Sequence, residues 1–161
     1  MENFIQLKED NILRIGIKDI EGNDTGEYLE FDMEDIELPL KLNQCEKEHY
    51  KNVSALKNQY AIIDKQEDKK GKYTLSWKDE EKIKAVKEFY DKEAQALDLF
   101  LGENGTKKLL NGRRPYITMF DDISDLLEKY VLPKLDLTKD NVIKKIKSKY
   151  SKDKEEGNVL E

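Results

Sequence analysis

The residue types best suited to phosphate chemistry lie in one short stretch, Gly102-Glu-Asn-Gly105-Thr106-Lys107-Lys108. A phosphate loop needs glycines and then a lysine followed by Ser or Thr, so that the lysine reaches the phosphates and the hydroxyl reaches magnesium. Here the threonine precedes the lysines, and the sequence before it has helical spacing. We therefore interpret the stretch as a glycine-based end of one helix and start of another, and we predict no cofactor.

The only cysteine, Cys45, and the only histidine, His49, lie four residues apart on one predicted helix face. Such a pair supplies two zinc ligands, which is too few for a structural site, and a Cys–His catalytic pair needs an acyl-binding site that no motif indicates. We predict packed or half-exposed helix residues and no metal site. A single cysteine also excludes an internal disulfide.

Carboxylate pairs such as Glu80-Glu81 and Asp121-Asp122 are expected by chance among 35 acidic residues, so they identify no acid–base couple. At the start of a helix, Asp121 and Asp122 would interact favourably with the helix dipole. No nucleophile–base set, metal cluster or phosphate loop remains, so we predict no catalytic residues, and an enzyme is the least favoured class.

Two of the three arginines, Arg113 and Arg114, are adjacent in a predicted loop of a chain whose other cations are almost all lysines. Arginine presents planar, forked donors that bind carboxylates and helix C-termini. Two interpretations remain open. The arginines form an internal ion pair with the acidic helices, or they recognise a partner protein.

Length and composition favour one compact domain, predicted over residues 1–150 and followed by a flexible polar tail at 151–161. With 40% charged and 37% hydrophobic residues, each helix should bury one narrow stripe. The net charge of -6 argues against nucleic-acid binding and favours a protein partner. Residues 1–4 lack the start of a signal peptide and no apolar run is long enough to span a bilayer, so we expect a cytoplasmic protein with no membrane partner.

The spacing of apolar residues predicts an α+β, predominantly helical fold. Period-two alternation over residues 1–33 predicts a small antiparallel sheet of two or three strands. Its apolar positions are Ile5, Leu7, Leu13, Ile15, Ile17, Leu29, Phe31 and Met33. A sheet of this size must pack on the helices that follow it.

Helical spacing begins near residue 35 and predicts an antiparallel hairpin of two long helices. The two apolar stripes are Leu42, Cys45, His49, Val53, Leu56, Tyr60 and Ile63, then Ile83, Val86, Phe89, Tyr90, Ala94, Leu97, Phe100 and Leu101. Ser76 followed by Asp79 predicts the start of the second helix, and Gly102 predicts its end.

Two to three further helices are predicted beyond Gly102. A one-turn helix runs from Thr106 to Leu110, another begins at Pro115 and ends at Leu132-Pro133, and a last one follows Thr138.

The sequence Leu97 to Gly112, LDLFLGENGTKKLLNG, resembles a signature of the tail assembly chaperones of long-tailed bacteriophages and prophages of low-GC Gram-positive bacteria. That signature is an aspartate, two apolar residues, Phe-Gly-Glu-Gly-Thr, a short helix and a glycine. Relative to it, Leu101 and Asn104 are insertions. The order of elements over residues 4–150 is also similar to this family.

The resemblance implies a non-enzymatic protein that binds the tape measure protein, a very long helical chain, during tail assembly. The tail tube protein is a second implied partner, and homo-oligomer formation stays open. The predicted partner contacts are Phe100, Arg113, Arg114, Tyr116 and Phe120. The alternative is a head–tail completion or connector protein, which would form a ring and persist in virions.

Overall fold

The computed structural model describes residues 3–6 and 11–136, together with Lys144 and Lys147. A two-stranded antiparallel sheet is followed by helices, which confirms the predicted α+β, predominantly helical fold. None of the helices in this part of the chain is long and apolar enough to cross a bilayer. The polar tail predicted at 151–161 lies outside the described residues.

Contacts group the chain into two units, Met1–Phe120 and Asp121–Glu161. The first unit holds the sheet, two long helices and a short third helix. That residues 1–150 fold as one domain stays a prediction.

The sheet consists of β1 (Ile12–Lys18) and β2 (Asp24–Asp32), which pair antiparallel as the alternation predicts. No third strand is present at residues 3–6, where Ile5 is fully exposed. Leu7, the other apolar position of the predicted first strand, lies outside the described residues. The buried face of the sheet carries Ile17, Leu29 and Phe31.

The two long helices, α1 (Leu38–Asp64) and α2 (Trp77–Leu101), form the predicted antiparallel hairpin. At its closed end Lys82 Nζ lies 2.7 Å from Asp64 Oδ1. Most of the predicted stripes are buried or half-buried, although Ile83 is 55% exposed. Four buried positions of the two helices outside those predicted stripes are polar or small: Asn52, Ala85, Glu93 and Ala96.

Both predicted ends of α2 are confirmed. Ser76 Oγ accepts the backbone N–H of Asp79 at 3.2 Å, and Gly102 ends the helix with φ +90°. A second cap was not predicted: Asp68 Oδ1 accepts the backbone N–H of Lys78 at 2.9 Å. This hydrogen bond lowers the pKa of Asp68, because it stabilises the charged carboxylate. The charged connection is therefore tied to the start of α2.

The junction after α2 is held by the carboxylate of Asp98. Its Oδ1 accepts the backbone N–H of Thr106 at 2.8 Å, in the first turn of α3 (Gly105–Leu110). The Thr106 hydroxyl donates to the carbonyl of Ala94 at 3.3 Å, one turn earlier in α2. Because a helix begins with unpaired N–H groups, Asp98 does the work of a capping side chain from the preceding helix. The predicted one-turn helix is confirmed.

Gly105 lets α3 approach α2 closely. A Cβ added at Gly105 would lie 2.4 Å from the Cβ of Leu101, which is closer than two carbon atoms can pack. The preceding Asn104 takes a left-handed conformation, with φ 59°, to turn the chain. The sheet covers the same corner, since the rings of Phe31 and Phe100 lie 5.3 Å apart between centroids.

The helix predicted to begin at Pro115 begins later, as α4 (Met119–Leu126), so the predicted start is wrong. The Met119 N–H donates to the carbonyl of Tyr116, three residues back, which makes a turn at this point. Tyr116 keeps the spacing of the helical stripe although it precedes the helix. Apolar spacing alone therefore placed the start one turn too early.

In the second unit the helix does not end at Leu132-Pro133, so that prediction is also wrong. A π-helical turn (Leu127–Val131) leads into α5 (Leu132–Leu135). The Leu132 N–H donates to the carbonyl of Leu127, and this wider turn relieves the conflict between a proline ring and the carbonyl one turn before it. The helix predicted after Thr138 lies outside the described residues, except Lys144 and Lys147, which are helical.

Replacing Gly105 with Ala should lower the free energy of unfolding by about 1–3 kcal/mol, because the new methyl group overpacks against Leu101. Gly16→Ala is the matched control, since nothing lies within 4 Å of its added Cβ. Urea unfolding followed by circular dichroism measures both. Equal stability of the two variants would show that α3 does not need this close approach.

Candidate functional site

The five residues predicted to contact a partner divide into two buried rings and three accessible side chains. Phe100 is 3% exposed and Phe120 is 9% exposed. Arg113 and Arg114 are exposed, and Tyr116 is half-buried. In this conformation only the last three offer surface to a partner.

Arg113 lies on the ring of Tyr116, with 4.0 Å between the guanidinium carbon and the ring centroid. This is a cation–π contact, which keeps the edge of the guanidinium group available for hydrogen bonding. Neither Arg113 nor Arg114 forms a salt bridge with any residue that the structure describes. Among the described residues, the structure therefore shows no internal ion pair of Arg113 or Arg114 with the acidic helices.

A polar cluster that was not predicted lies inside the hairpin. The carboxylate of Glu93 is 2% exposed, with His49 Nδ1 2.6 Å from one oxygen and Asn52 Nδ2 donating to the other at 3.1 Å. The ring of His49 stacks on Phe120, with centroids 3.7 Å apart and an 11° angle between planes. These contacts join α1, α2 and the start of α4.

The protons of this cluster follow from its geometry. An ionised Glu93 can only accept hydrogen bonds, so a proton must lie between its second oxygen and His49 Nδ1. This hydrogen bond and the one from Asn52 reduce the cost of burying the carboxylate. The side chains of α1 thus satisfy the buried charge of α2.

A sequence signal for this cluster existed. Glu93 lies four residues after Phe89 and four before Leu97, on the buried stripe of α2. A carboxylate at such a position needs a partner, and the only histidine lies on the facing stripe of α1. Carboxylates were considered only as possible acid–base pairs, so the buried position of Glu93 was not recognised.

A groove of about 510 Å³ opens beside Asn52 on one side of the hairpin. The lining residues recur every three or four positions along both helices. They are Gln44, Glu48, Lys51, Asn52 and Ala55 from α1, and Lys92, Gln95, Ala96 and Leu99 from α2. Positions 44 to 55 span about 16 Å at 1.5 Å per residue, or three helical turns. Small side chains at Ala55 and Ala96 allow another chain to come close.

The described residues do not favour metal or thiol chemistry. Among them, no group of three or more His, Cys, Asp or Glu side chains is placed to hold a metal ion. Burial raises the pKa of the Cys45 thiol to about 12, and the nearby charges of Glu46 and Glu93 act in the same direction. At neutral pH the thiol is protonated, and a protonated thiol is a poor nucleophile and ligand.

Glu93→Ala should lower the free energy of unfolding by about 3 kcal/mol, since it leaves His49 and Asn52 without their shared acceptor. Glu88→Ala on the same helix is the control, since it removes only an exposed ion pair with Lys92, in which the nitrogen and oxygen are 3.4 Å apart. It should change the free energy of unfolding by about 0.5 kcal/mol or less. Urea unfolding compares the two. Similar losses in both variants would mean that the cluster does not join the helices.

Cys45 should react with an aromatic disulfide reagent at about pH 8 only as fast as the protein unfolds, because the native thiol is buried and has a raised pKa. The same chain in denaturing urea, where the pKa is ordinary, is the control. Comparable rates with and without urea would contradict the burial of this thiol.

No protein-family model, curated protein or solved structure matches this chain. The features of this chain that bear on function are the groove, the exposed corner residues and the resemblance at the junction.

Proposed function

We propose that this protein is a non-enzymatic tail assembly chaperone that binds the helical tape measure protein in the host cytoplasm. The groove between α1 and α2 carries the proposal, because its length and small floor residues suit an added helix of about three turns. Such a helix would pack beside the hairpin as the third member of a bundle.

The resemblance supports the same function, and its residues have definite positions. Asp98, Gly105 and Thr106 hold α3 against α2. The loop that follows presents Arg113, Arg114 and Tyr116, which we include among the partner contacts. A signature of this kind would serve to build the corner, and the loop beside it would contribute to binding.

The charge of the chain suits a protein that accompanies an aggregation-prone partner. A net charge of -6 repels other copies of the complex and so opposes association between them. The polar rim of the groove, with Glu48, Lys51 and Lys92, would fix the register of a bound helix.

Ala55→Trp should weaken binding of a purified tape measure fragment by about tenfold or more, because the indole would fill the groove. Ala61→Trp is the matched control, since Ala61 is exposed on the same helix and does not line the groove. Fluorescence anisotropy of the labelled fragment measures both, and co-expression reports whether the tape measure protein stays in solution.

Equal binding by Ala55→Trp and the unchanged protein would contradict the proposed groove. Failure of the unchanged protein to bind the fragment or to keep it in solution would contradict the proposed function. Mass spectrometry of purified virions adds a third check, because a chaperone should be absent from particles and a connector protein present.

A further inference from the structure

One stretch of this acidic protein carries only positive charge. From Asn104 to Phe120 the sequence contains four cations and no Asp or Glu, and the nearest acidic residues along the chain are Glu103 and Asp121. We call the four cations the basic face: Lys107, Lys108, Arg113 and Arg114. The rest of the chain is accordingly more acidic than its net charge of -6 indicates.

The structure folds the basic face into one short region. The Asn111 N–H donates to the carbonyl of Lys107 at 3.1 Å, and the Arg113 N–H donates to the carbonyl of Leu110 at 2.9 Å. Asn111 and Gly112 both have positive φ, and they form the turn between the lysines and the arginines. Both pairs of cations are thus held within a few residues of one turn.

The basic face is unpaired within the described chain. Lysines of the two long helices have carboxylate partners, for example Lys82 with Asp64 and Lys84 with Glu80. None of the four cations of the basic face forms a salt bridge with a described residue. In an acidic protein, a stretch of cations without salt-bridge partners among the described residues is complementary to carboxylates brought by another molecule.

Apolar surface lies next to these cations. Ile117 is 66% exposed, and Tyr116 is half-buried beneath the guanidinium group of Arg113. A partner that fits this region must offer both carboxylates and apolar side chains. A sugar-phosphate backbone offers negatively charged phosphates but no apolar side chains, and the net negative charge of the chain opposes a polyanion along its whole length.

We propose that the basic face, with Ile117, binds an acidic amphipathic segment of a partner protein. Aspartate or glutamate side chains receive the forked donors of Arg113 and Arg114, and an apolar side chain between them packs on Ile117. The inference rests on the proposed function only in taking the partner to be a polypeptide. It adds the chemistry of the bound segment, which the groove does not specify.

Three labelled helical peptides of about 20 residues test the proposal. All three have the same leucine stripe, and they differ only in the residues beside that stripe, which are glutamate, glutamine or lysine. Fluorescence anisotropy with the full chain should show the glutamate peptide binding about tenfold tighter than the glutamine peptide at low salt, with the difference reduced at high salt. The lysine peptide should bind weakest. A single-stranded oligonucleotide is measured alongside them.

Reversal of both arginines, Arg113→Glu with Arg114→Glu, should abolish the preference for the glutamate peptide, and the double change to Gln should reduce it part of the way. Lys69→Glu with Lys70→Glu is the control, because it reverses two adjacent exposed cations and changes the net charge equally. Circular dichroism confirms that each variant is folded.

Three results would overturn the proposal: equal affinity for the glutamate and glutamine peptides, an equal effect of the lysine control, or tighter binding of the oligonucleotide than of the glutamate peptide. These outcomes are separate from those at the groove. The Ala55→Trp variant can lose tape measure binding and still discriminate between the peptides. The arginine variants can lose that discrimination and still bind the tape measure fragment at the groove.

Discussion

The buried carboxylate of Glu93 is the interaction on which the hairpin depends. A carboxylate that is 2% exposed is unfavourable unless its oxygens are paired, and both of its partners, His49 and Asn52, come from the facing helix. The pairing fixes the register of α1 against α2. Because Asn52 also lines the groove, the same contact that joins the helices sets the floor of the surface proposed to bind a partner.

A second carboxylate, at the C-terminal end of α2, has a corresponding role. Asp98 fixes the start of α3 by accepting the Thr106 N–H, and the missing side chain of Gly105 allows the close approach to Leu101. The corner then carries two kinds of residue with different roles. Phe100 packs inside against the sheet, whereas Arg113 lies outside with its guanidinium group on an aromatic ring.

Much of the fold could be predicted because its signals are local. Ser76, Gly102 and the period of the two long stripes act within a few residues, and the structure confirms them. The start of α4 could not be placed by apolar spacing alone, since Tyr116 keeps the stripe while lying in a turn. The predicted end at Leu132-Pro133 is wrong because a π-helical turn tolerates a proline that an α-helix does not.

The candidate site was harder to predict, since its parts meet across long sequence separations. Glu93 and His49 are 44 residues apart, and nothing in either helix alone shows that they face each other. The exposure of Arg113 and Arg114 depends on how the loop after α3 is folded. Likewise, the burial of Phe100 and Phe120 depends on the sheet and on His49, so their aromatic character alone indicated a binding surface that the fold covers.

The most direct test is hydrogen–deuterium exchange of the full chain with and without a purified tape measure fragment. We expect slower exchange on binding along residues 44–55 and 92–99, which contain the groove lining, and in the loop at 111–117. Exchange at 57–64, on the same helix beyond the groove, should stay unchanged. Protection confined to 57–64, or no protection at the groove despite binding, would contradict binding of the fragment at the groove.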